Sequence, residues 1–311
     1  MSAVAQPGVG FCGLGRMGRP MARRLLDAGV DLHLWNRSGV APELLQGAPA
    51  GRGRACASPA ELARACGVVL LCLTDARAVE AVAFGAQGLA EGATHAAVVV
   101  DHSTLEPRSA RELAARWRER TGGHWIDAPV SGGTAGALAG TLAVMAGGDA
   151  ASIEALRGLL GAYAARVTRM GDSGAGQAAK LVNQTIVMTT IAGLAEATRL
   201  ARGGGVDAAR IPAALQGGWA DSVLLQTLMP RMLEPPAEAG GTIRIMLKDL
   251  SAVESFAAEH ALSVPLASLL RRWLTRAVEQ GLGDSDISQI VRVPLDEGPH
   301  AAGSGMPGPR S

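Results

Sequence analysis

Three glycines near the start of the chain constrain its fold more than any other feature of the sequence. Gly13, Gly15 and Gly18 form the pattern GLGRMG, which follows an apolar run at residues 9–12 and leads into a segment of helical period at residues 17–28. A strand, a glycine turn and a helix in this order form a dinucleotide-binding fingerprint. The first glycine permits a tight turn, the second lets the backbone approach a pyrophosphate, and the third lets helix and strand pack closely.

This pattern predicts a coenzyme-binding turn whose contact residues are Gly13, Leu14, Gly15, Arg16, Met17 and Gly18. The alternative is a glycine-rich turn that binds no ligand, because the chain contains 41 glycines. The flanking strand and helix patterns favour the binding turn, with the phosphates at the helix N-terminus.

The length and composition indicate a globular protein of about two domains. Of the 311 residues, 48% are hydrophobic, 18% are charged and 3% are aromatic, and the formal net charge is +1. This charge gives no electrostatic basis for binding nucleic acid or a membrane surface, and few aromatic rings are available to stack on bases. We therefore expect a small-molecule substrate and neither a nucleic-acid nor a membrane partner.

The cysteines and the first residues indicate a reducing compartment. Cys12, Cys56, Cys66 and Cys72 form no CxxC pair and no cluster with histidine, so we expect free thiols and no metal site. The opening MSAVAQPG lacks the basic and apolar segments of a signal peptide, and no apolar run approaches the ~18 residues of a membrane span. The sequence therefore predicts a cytoplasmic protein.

Strand and helix patterns alternate through the first half of the chain. Apolar runs predict buried strands at residues 9–12, 30–35, 68–73, 96–101, 124–127, 142–146 and 165–169. Helical periods between them predict helices at residues 17–28, 41–46, 59–65, 76–83 and 107–120. Such alternation is typical of an α/β fold with a doubly wound parallel sheet and right-handed crossovers. We therefore predict a Rossmann domain over residues 1–172.

The second half of the chain carries helical patterns alone. From residue 176 to residue 293 no strand-like run separates them, which predicts an all-α C-terminal domain over residues 173–295. Its first helix, at residues 177–202, would be about 39 Å long at 1.5 Å per residue and would join the two domains. Residues 296–311 are rich in proline and glycine and are predicted to be disordered.

The end of the second predicted strand bears on the choice of coenzyme. A carboxylate about 20 residues after the glycines usually binds the adenosine ribose and selects NAD. Here the strand ends in Asn36, Arg37 and Ser38, which offer neutral donors and a guanidinium suited to a 2′-phosphate. We therefore predict that NADP(H) is favoured over NAD(H). The alternative is that Arg37 stacks on the adenine or lies in solvent.

One lysine stands out in the long helix. Between residues 178 and 195, Lys180 is the single ionisable side chain of a helix that is apolar or weakly polar on every face, which predicts a buried helix. An ammonium group there is costly unless it finds a partner or its pKa falls, so Lys180 is a candidate general acid and base. Asn183 and Gln184 lie on the same face and could orient a substrate. The alternative is a lysine that extends into solvent from the first helical turn.

Two loops and one charged pair are further candidates. Residues 127–134, DAPVSGGT, follow a predicted strand and offer backbone N–H groups beside the Ser131 hydroxyl, which can hold a carboxylate. A plain surface turn is the alternative. Residues 101–104, DHST, end another strand at the sheet edge where ligands bind, although a single histidine such as His102 is more often structural. Residues 248–249, Lys-Asp, lie in a helical segment, where an exposed charged pair is the simple alternative.

Five blocks of the sequence together resemble the β-hydroxyacid dehydrogenase family, which includes 3-hydroxyisobutyrate dehydrogenases and tartronate semialdehyde reductases. They are GLGRMG at 13–18, DHST at 101–104, DAPVSGG at 127–133, GAGQAAKLVNQ at 174–184 and LKDL at 247–250. The resemblance covers about residues 8–293, and five blocks in the right order are far more specific than any one motif. It implies a Rossmann domain, a helical domain, and assembly as a homodimer or homotetramer.

The resemblance also implies roles for residues at a substrate site. Lys180 would donate or accept the proton. Ser131, Gly132 and Gly133 would hold the substrate carboxylate, and Asn183 would assist at the substrate.

For the coenzyme, the resemblance implies that Thr104 and Lys248 reach the nicotinamide end. The loop after the strand at residues 68–73, usually Leu-Pro in the family, reads Leu73-Thr74 here and would line the coenzyme.

The sequence thus predicts reversible hydride transfer between NADP(H) and a small β-hydroxy acid or its semialdehyde, of the tartronate semialdehyde or 3-hydroxyisobutyrate type. One alternative is an imine reductase-like NADPH enzyme, which shares the fold and the glycine turn but generally has aspartate or tyrosine in place of Lys180. The other is a non-catalytic NADP-binding sensor, which needs the glycine turn but no lysine beside a carboxylate-binding loop.

Overall fold

The computed structural model describes residues 8–46, 52–93 and 97–294. The chain forms two compact units: Met1–Gln184 with Ser255–Leu262 make up the first, and Thr185–Glu254 with Ser263–Ser311 make up the second. Residues 1–7, on which the signal-peptide argument depends, and the predicted tail at 296–311 lie outside the described residues.

The first unit is built on one sheet. Its strands are β1 Gly8–Cys12, β2 Leu32–Trp35, β3 Gly53–Ala55, β4 Cys66–Leu71, β5 Val98–Asp101, β6 His124–Asp127, β7 Val130–Ser131, β8 Leu142–Gly147 and β9 Ala164–Gly171. They lie in the order β3-β2-β1-β4-β5-β6-β8-β7, with β9 also paired to β8. From β3 to β6 every pairing is parallel, which confirms the doubly wound Rossmann prediction. The sequence missed β3 and β7, because two or three residues are too few to show a strand period.

Helices connect the strands and continue through the second unit. They are α1 Gly18–Asp27, α2 Pro42–Leu45, α3 Pro59–Ala65, α4 Ala76–Phe84, α5 Leu89–Gly92, α6 Pro107–Thr121, α7 Gly133–Ala139, α8 Ala150–Leu160, α9 Ala175–Gly203, α10 Ile211–Leu215, α11 Val223–Leu233, α12 Ile243–Glu259 and α13 Pro265–Ala277. The five helices predicted for the first half are present, whereas α5, α7 and α8 were not predicted. For α8 a signal existed, since Asp149 caps it and Ile153, Leu156 and Leu160 are buried at helical spacing.

Successive residues of the central strands point to opposite faces of the sheet, so two hydrophobic cores form. Phe11 and Leu70 pack on the face that α1 and α8 cover. Cys12 and Leu71, the next residues along the same strands, pack on the face that α3, α4 and α6 cover. Because the strands from β1 to β6 run parallel, their carboxyl ends lie at one edge of the sheet, where the loops that follow them can bind ligands.

The sheet departs from the fully parallel prediction after β6. The β8 strand runs antiparallel to β6, pairing Gly147 with Asp127, and β7 runs antiparallel to β8. Gly132 and Gly133, with φ of 129° and 61°, follow β7 directly. Only glycine adopts these angles readily, and here they lead from β7 directly into α7, after which the chain returns antiparallel as β8. The loop after β6 therefore stays beside the carboxyl end of that strand.

The second unit is helical, as predicted. Within its described residues no strand is present apart from a single bridge between Thr242 and Asp286. Short 3-10 or π turns occur at Ala208–Arg210, Val278–Leu282 and Ile287–Arg292. The buried Trp273 indole donates to the Val293 carbonyl at 2.7 Å, which ties the end of the described chain to α13. Across the described residues, no helix is both long and apolar enough to cross a membrane.

The long helix α9 is present, and at 29 residues it extends about 44 Å. The prediction that it is buried on every face is wrong. Val182, Ile186 and Leu200, which lie on one side of the helix, are 59%, 63% and 75% exposed. Apolar composition allows burial, but a side chain is buried only where another element covers it, and no element among the described residues covers that side.

Candidate active site

The glycine turn between β1 and α1 has the geometry that its pattern predicts. Gly13 has a φ of 98° and lies against the Cys72 carbonyl, where a Cβ would clash. A Cβ on Gly18 would likewise clash with the Gly13 carbonyl. Gly15 is exposed, and a Cβ there would meet nothing within 4 Å. The turn is therefore packed against the protein at Gly13 and Gly18 and open at Gly15, where an anion can approach the start of α1.

A cavity of about 330 Å³ lies beside this turn. Its wall is held by the Asn36 side chain, which accepts the Leu14 backbone N–H at 3.0 Å and donates to Ser38 Oγ at 2.9 Å. Arg19, from the first turn of α1, also lines the cavity, and no described carboxylate does. The wall thus offers a guanidinium, an amide and a hydroxyl, with no acidic group of the kind that selects NAD.

The arginine on this wall is not the one that the sequence assigned to a 2′-phosphate. Arg37 is exposed and does not line the cavity, whereas Arg19 does. Sequence reasoning missed Arg19, although a signal existed. It directly follows the third glycine and therefore lies in the first turn of the helix that receives the phosphates.

Two loops at the same sheet edge are tied to each other and to the glycine turn. Leu73 lies beside Gly13, and its backbone N–H donates to Ser103 Oγ at 3.0 Å. Thr104 follows Ser103 and is half-buried, while Thr74 is exposed. The structure therefore brings the loops that carry Leu73 and Thr104 together, next to the predicted coenzyme turn.

His102 has a structural role. It is buried, and its Nδ1 and Nε2 lie 2.7 Å from the Ala128 carbonyl and 2.8 Å from the Tyr163 hydroxyl. A carbonyl can only accept, so Nδ1 carries the proton and Nε2 accepts from the tyrosine. Burial lowers the pKa of His102 to about 4, which keeps the ring neutral. This geometry confirms the structural interpretation and removes His102 as a general base.

The last residue of β6 holds the start of α9. The Asp127 carboxylate accepts the backbone N–H of Gly174 at 2.7 Å and that of Gln177 at 2.9 Å. These groups have no partner within the helix, so the carboxylate acts as a cap. Because Lys180 lies one turn further on, the end of β6 fixes where the lysine helix begins. Sequence reasoning placed Asp127 in a motif but gave it no role.

Burial also perturbs two carboxyls at this edge. Burial raises the pKa of Asp101 to about 7, and this effect outweighs the hydrogen bonds from Ser103, which lower it. It raises the pKa of Asp127 to about 6, against the backbone hydrogen bonds from Gly174 and Gln177. Perturbed carboxyls often mark functional sites, but both side chains here bind backbone N–H groups and serve structure.

The predicted substrate residues lie on α9 and on the turn between β7 and α7. Lys180 is 8% exposed, which contradicts the alternative of a lysine extended into solvent. Asn183, one turn later, accepts a hydrogen bond from the Ser131 hydroxyl at 3.1 Å. Gly132 and Gly133 follow, with Gly133 as the first residue of α7. The structure thus places a buried ammonium, an amide, a hydroxyl and a glycine turn on neighbouring elements, a set able to bind a carboxylate and move a proton.

Lys248 belongs to the second unit, where its ammonium lies 3.4 Å from the carboxylate of Asp249. The pair lies on α12, and the lysine side chain is 40% exposed. The predicted contact of Lys248 with the nicotinamide stays a prediction.

The donor set fits a dinucleotide rather than a metal. In the parts of the chain that the structure describes, no group of three or more histidine, cysteine, aspartate or glutamate side chains is placed to hold a metal ion. The open face at Gly15 leaves room for phosphates, and the cavity beside Arg19 and Asn36 adjoins it. These residues fit the pyrophosphate and the adenosine part of a nicotinamide dinucleotide.

Known proteins match this chain along nearly its whole length. Residues 8–171 match the family described as the NAD binding domain of 6-phosphogluconate dehydrogenase, and residues 174–294 match the one described as NAD-binding of NADP-dependent 3-hydroxyisobutyrate dehydrogenase. The 2-hydroxy-3-oxopropionate reductase of Escherichia coli is 34% identical over 92% of this chain and 96% of its own length.

Solved structures agree with the fold. The 3-hydroxyisobutyrate dehydrogenase of Salmonella typhimurium superposes with a TM-score of 0.82 at 30% identity, over 92% of this chain and 99% of the other. A protein designated Psf3, solved in complex with NADP+ and 2-OPP, superposes with a TM-score of 0.80 at 28% identity, over 91% of this chain and 99% of the other. The glycine turn, the lysine helix and these matches lead to one conclusion: the chain belongs to the β-hydroxyacid dehydrogenase family of NAD(P)-dependent oxidoreductases.

Proposed function

We propose that this protein interconverts a small β-hydroxy acid and its semialdehyde, with NADP(H) as the favoured coenzyme and Lys180 as the general acid and base. The observation that carries the proposal is the hydrogen bond between Ser131 and Asn183, which assembles a carboxylate-binding loop on the helix that bears the buried Lys180. The named activities of the relatives, a reductase of 2-hydroxy-3-oxopropionate and a 3-hydroxyisobutyrate dehydrogenase, favour a substrate of the tartronate semialdehyde or 3-hydroxyisobutyrate type.

Each residue of the set has a distinct task. The backbone N–H groups of Gly132 and Gly133 bind the substrate carboxylate and orient the carbonyl carbon, and the Ser131 hydroxyl joins them by turning its proton from Asn183 to the carboxylate. Asn183 binds the substrate hydroxyl or carbonyl oxygen. Lys180 as an ammonium donates its proton to the developing alkoxide during reduction, and as a neutral amine takes the proton back during oxidation. When bound, the nicotinamide supplies or accepts the hydride.

The choice of NADP(H) is supported by the cavity beside the glycine turn. No described carboxylate lines it, and Arg19, Asn36 and Ser38 do. Arg37 would have to turn inwards to contact a 2′-phosphate there. The NADP+ complex of the Psf3 protein supports the same choice.

The wider organisation follows the same proposal. Residues 1–172 bind the dinucleotide, with Leu73, Thr74 and Thr104 along it. Residues 173–295 form the helical substrate and dimerisation domain of the proposal, with Lys248 as a coenzyme-binding residue. The exposed apolar side of α9 supports a homodimer or homotetramer, and four free cysteines support a reducing, cytoplasmic location.

The test is a panel of small semialdehydes, sulfonated and branched analogues, and cyclic imines, followed through coenzyme absorbance with wild type and Lys180→Ala. Turnover of a carboxylated semialdehyde by wild type, with a loss of about 10²–10⁴-fold in kcat and unchanged NADPH binding in the variant, supports the proposal. Turnover of cyclic imines alone favours the imine reductase alternative. Tight NADPH binding without any turnover favours the sensor.

A further inference from the structure

The side chain of Gln177 makes two hydrogen bonds that the proposed reaction does not yet use. It is 0% exposed. Its Oε1 accepts the backbone N–H of Leu105 at 2.9 Å, and its Nε2 donates to the backbone carbonyl of Ser103 at 2.7 Å. The carboxamide therefore holds the two residues that flank Thr104, in the loop after β5.

The backbone of Gln177 is held as well. Its N–H donates to Asp127 Oδ2 at 2.9 Å, at the end of β6. The loop after β5, which the Gln177 side chain binds, is itself fixed, because Ser103 Oγ accepts the Leu73 N–H from the loop after β4. Gln177 thus connects three loop segments at the sheet edge to the first turn of α9. Lys180 lies three residues further along the same helix, on the adjacent turn.

We propose that Gln177 is a positioning residue, which sets the lysine helix at a fixed distance from the Thr104 loop and so aligns the proton donor with the reacting end of the coenzyme. This inference rests on the proposed function, since it assumes that Lys180 and the Thr104 loop meet the same reacting centre. Gln177 itself acts through Lys180 and the loop and touches neither coenzyme nor substrate.

The chemistry of the position explains why glutamine is needed. A carboxamide accepts and donates at once, and the Leu105 N–H and the Ser103 carbonyl require one of each. An apolar side chain of similar length leaves both buried backbone groups without partners, so the loop moves to satisfy them elsewhere. A shift of about 1 Å between reacting groups can cost about 10²-fold in rate.

The first test compares Gln177→Met with a matched control, Thr121→Val. Thr121 is also buried, and its hydroxyl likewise donates once, to the Trp117 carbonyl, and accepts once, from the Gly123 N–H. It lies at the end of α6, away from the loops of the site. Both variants lose one donated and one accepted hydrogen bond, so thermal unfolding should report similar losses of stability.

Activity should separate the two variants. At a temperature well below both melting points, we expect kcat of Gln177→Met to fall about 10–100-fold, and its NADPH dissociation constant, measured by coenzyme fluorescence, to rise several-fold. Thr121→Val should keep both values within about twofold of wild type. Equal kcat values for the two variants would overturn the inference and leave Gln177 as a structural residue.

A second variant, Gln177→Glu, gives a readout that a structural residue would not move. Its ionised carboxylate can accept from Leu105 but cannot donate to Ser103, whereas the protonated form does both. Burial raises the pKa of the introduced carboxyl, so the ratio of its kcat to that of wild type should rise as the pH falls from about 8 to about 6. A ratio that stays flat while the variant is folded contradicts the inference.

The proposed function and the positioning role of Gln177 can be contradicted separately. If wild type reduces no carboxylated semialdehyde, the proposed function fails. If wild type is active and Gln177→Met matches it in kcat and NADPH affinity, the proposed function stands and the positioning role falls.

Discussion

The Ser131 hydroxyl donates a hydrogen bond to Asn183 Oδ1 at 3.1 Å and joins two residues that are 52 positions apart in the sequence. The amide of Asn183 is fixed at its other end, because its Nδ2 donates to Gln184 Oε1 at 3.0 Å. The Asn183 amide is therefore oriented before a substrate arrives, so less of its conformational freedom is lost on binding, and the Ser131 hydroxyl proton has to turn from Asn183 to the substrate carboxylate.

This pairing predicts that Ser131 and Asn183 act together. Ser131→Ala and Asn183→Ala should each raise KM for the semialdehyde about tenfold, because each removes one polar contact with the substrate. The double variant should lose less than the product of the two effects, with a coupling of about 0.5–3 kcal/mol. The measurement is a double-mutant cycle on kcat/KM, with NADPH affinity as the control. Independent, multiplying effects would show that the hydrogen bond has no part in binding.

The glycine turn predicts a contrast between two alanine substitutions. Gly15→Ala adds a methyl group that meets no protein atom, so the melting temperature should stay close to that of wild type while NADPH binding weakens at least about tenfold. Gly18→Ala drives a methyl group into the Gly13 carbonyl and should lower the stability itself. Calorimetric titration with NADPH and thermal unfolding measure the two effects. Unchanged NADPH affinity in Gly15→Ala would place the pyrophosphate elsewhere.

The positions of Gly13, Gly15, Gly18 and Lys180 could be predicted because local pattern determines them. The turn depends on backbone angles and close contacts within one βα unit, and the lysine is visible as a charge in an apolar helix. The parallel strands β1, β2, β4, β5 and β6 follow from the alternation of buried runs and helices, whereas β3 was too short to predict.

Features that depend on distant partners could not be predicted. Gln177 looks like an ordinary polar residue on a helix, and its role appears only when the loop after β5 folds against it. The exposure of Val182 and Ile186 was also missed, because the sequence does not show which face of α9 another element covers. Arg19 was passed over because an arginine was sought at the end of β2, where the ribose usually lies.

The cavity predicts that Arg19 contributes to coenzyme choice. Arg19→Ala should weaken binding of 2′,5′-ADP about tenfold or more and leave 5′-AMP unchanged, since a guanidinium–phosphate hydrogen bond is worth about 1.5–3 kcal/mol. Arg23→Ala is the matched control on the same helix, because Asp27 already holds its guanidinium at 2.7 Å. Calorimetry on the full chain measures these affinities.

Arg37→Ala completes the same experiment. A larger loss of 2′,5′-ADP affinity in Arg37→Ala than in Arg19→Ala would mean that Arg37 turns inwards on binding, and would restore the role that the sequence gives it. Equal affinity of wild type for 2′,5′-ADP and 5′-AMP would contradict the preference for NADP(H) altogether.

Asp101 and His102 predict opposing contributions to stability as the pH changes. Burial lowers the pKa of His102 to about 4, so the unfolded chain binds the proton more tightly. Its contribution to the free energy of unfolding is therefore lost as the pH falls from about 6.5 to about 4, by roughly 3 kcal/mol. Burial raises the pKa of Asp101 to about 7, so the folded chain binds that proton more tightly. Its contribution is lost as the pH rises from about 4 to about 7, by roughly 4 kcal/mol.

Substitutions should separate these two pH dependences of the free energy of unfolding. The free energy of unfolding of Asp101→Asn, minus that of wild type, should increase as the pH rises from about 4 to about 7, because the variant no longer ionises a buried carboxyl. The corresponding difference for His102→Gln should decrease as the pH rises from about 4 to about 6.5. Wild type regains the His102 contribution over this range, whereas the variant never loses it in acid. Asp127 titrates in the same direction as Asp101, and its charge is one cause of the raised Asp101 pKa, so it cancels in the His102→Gln difference and adds to the Asp101→Asn difference with the same sign. Urea unfolding across this range measures them, and slopes of the same sign would show that burial at the end of β5 does not control these two pKa values.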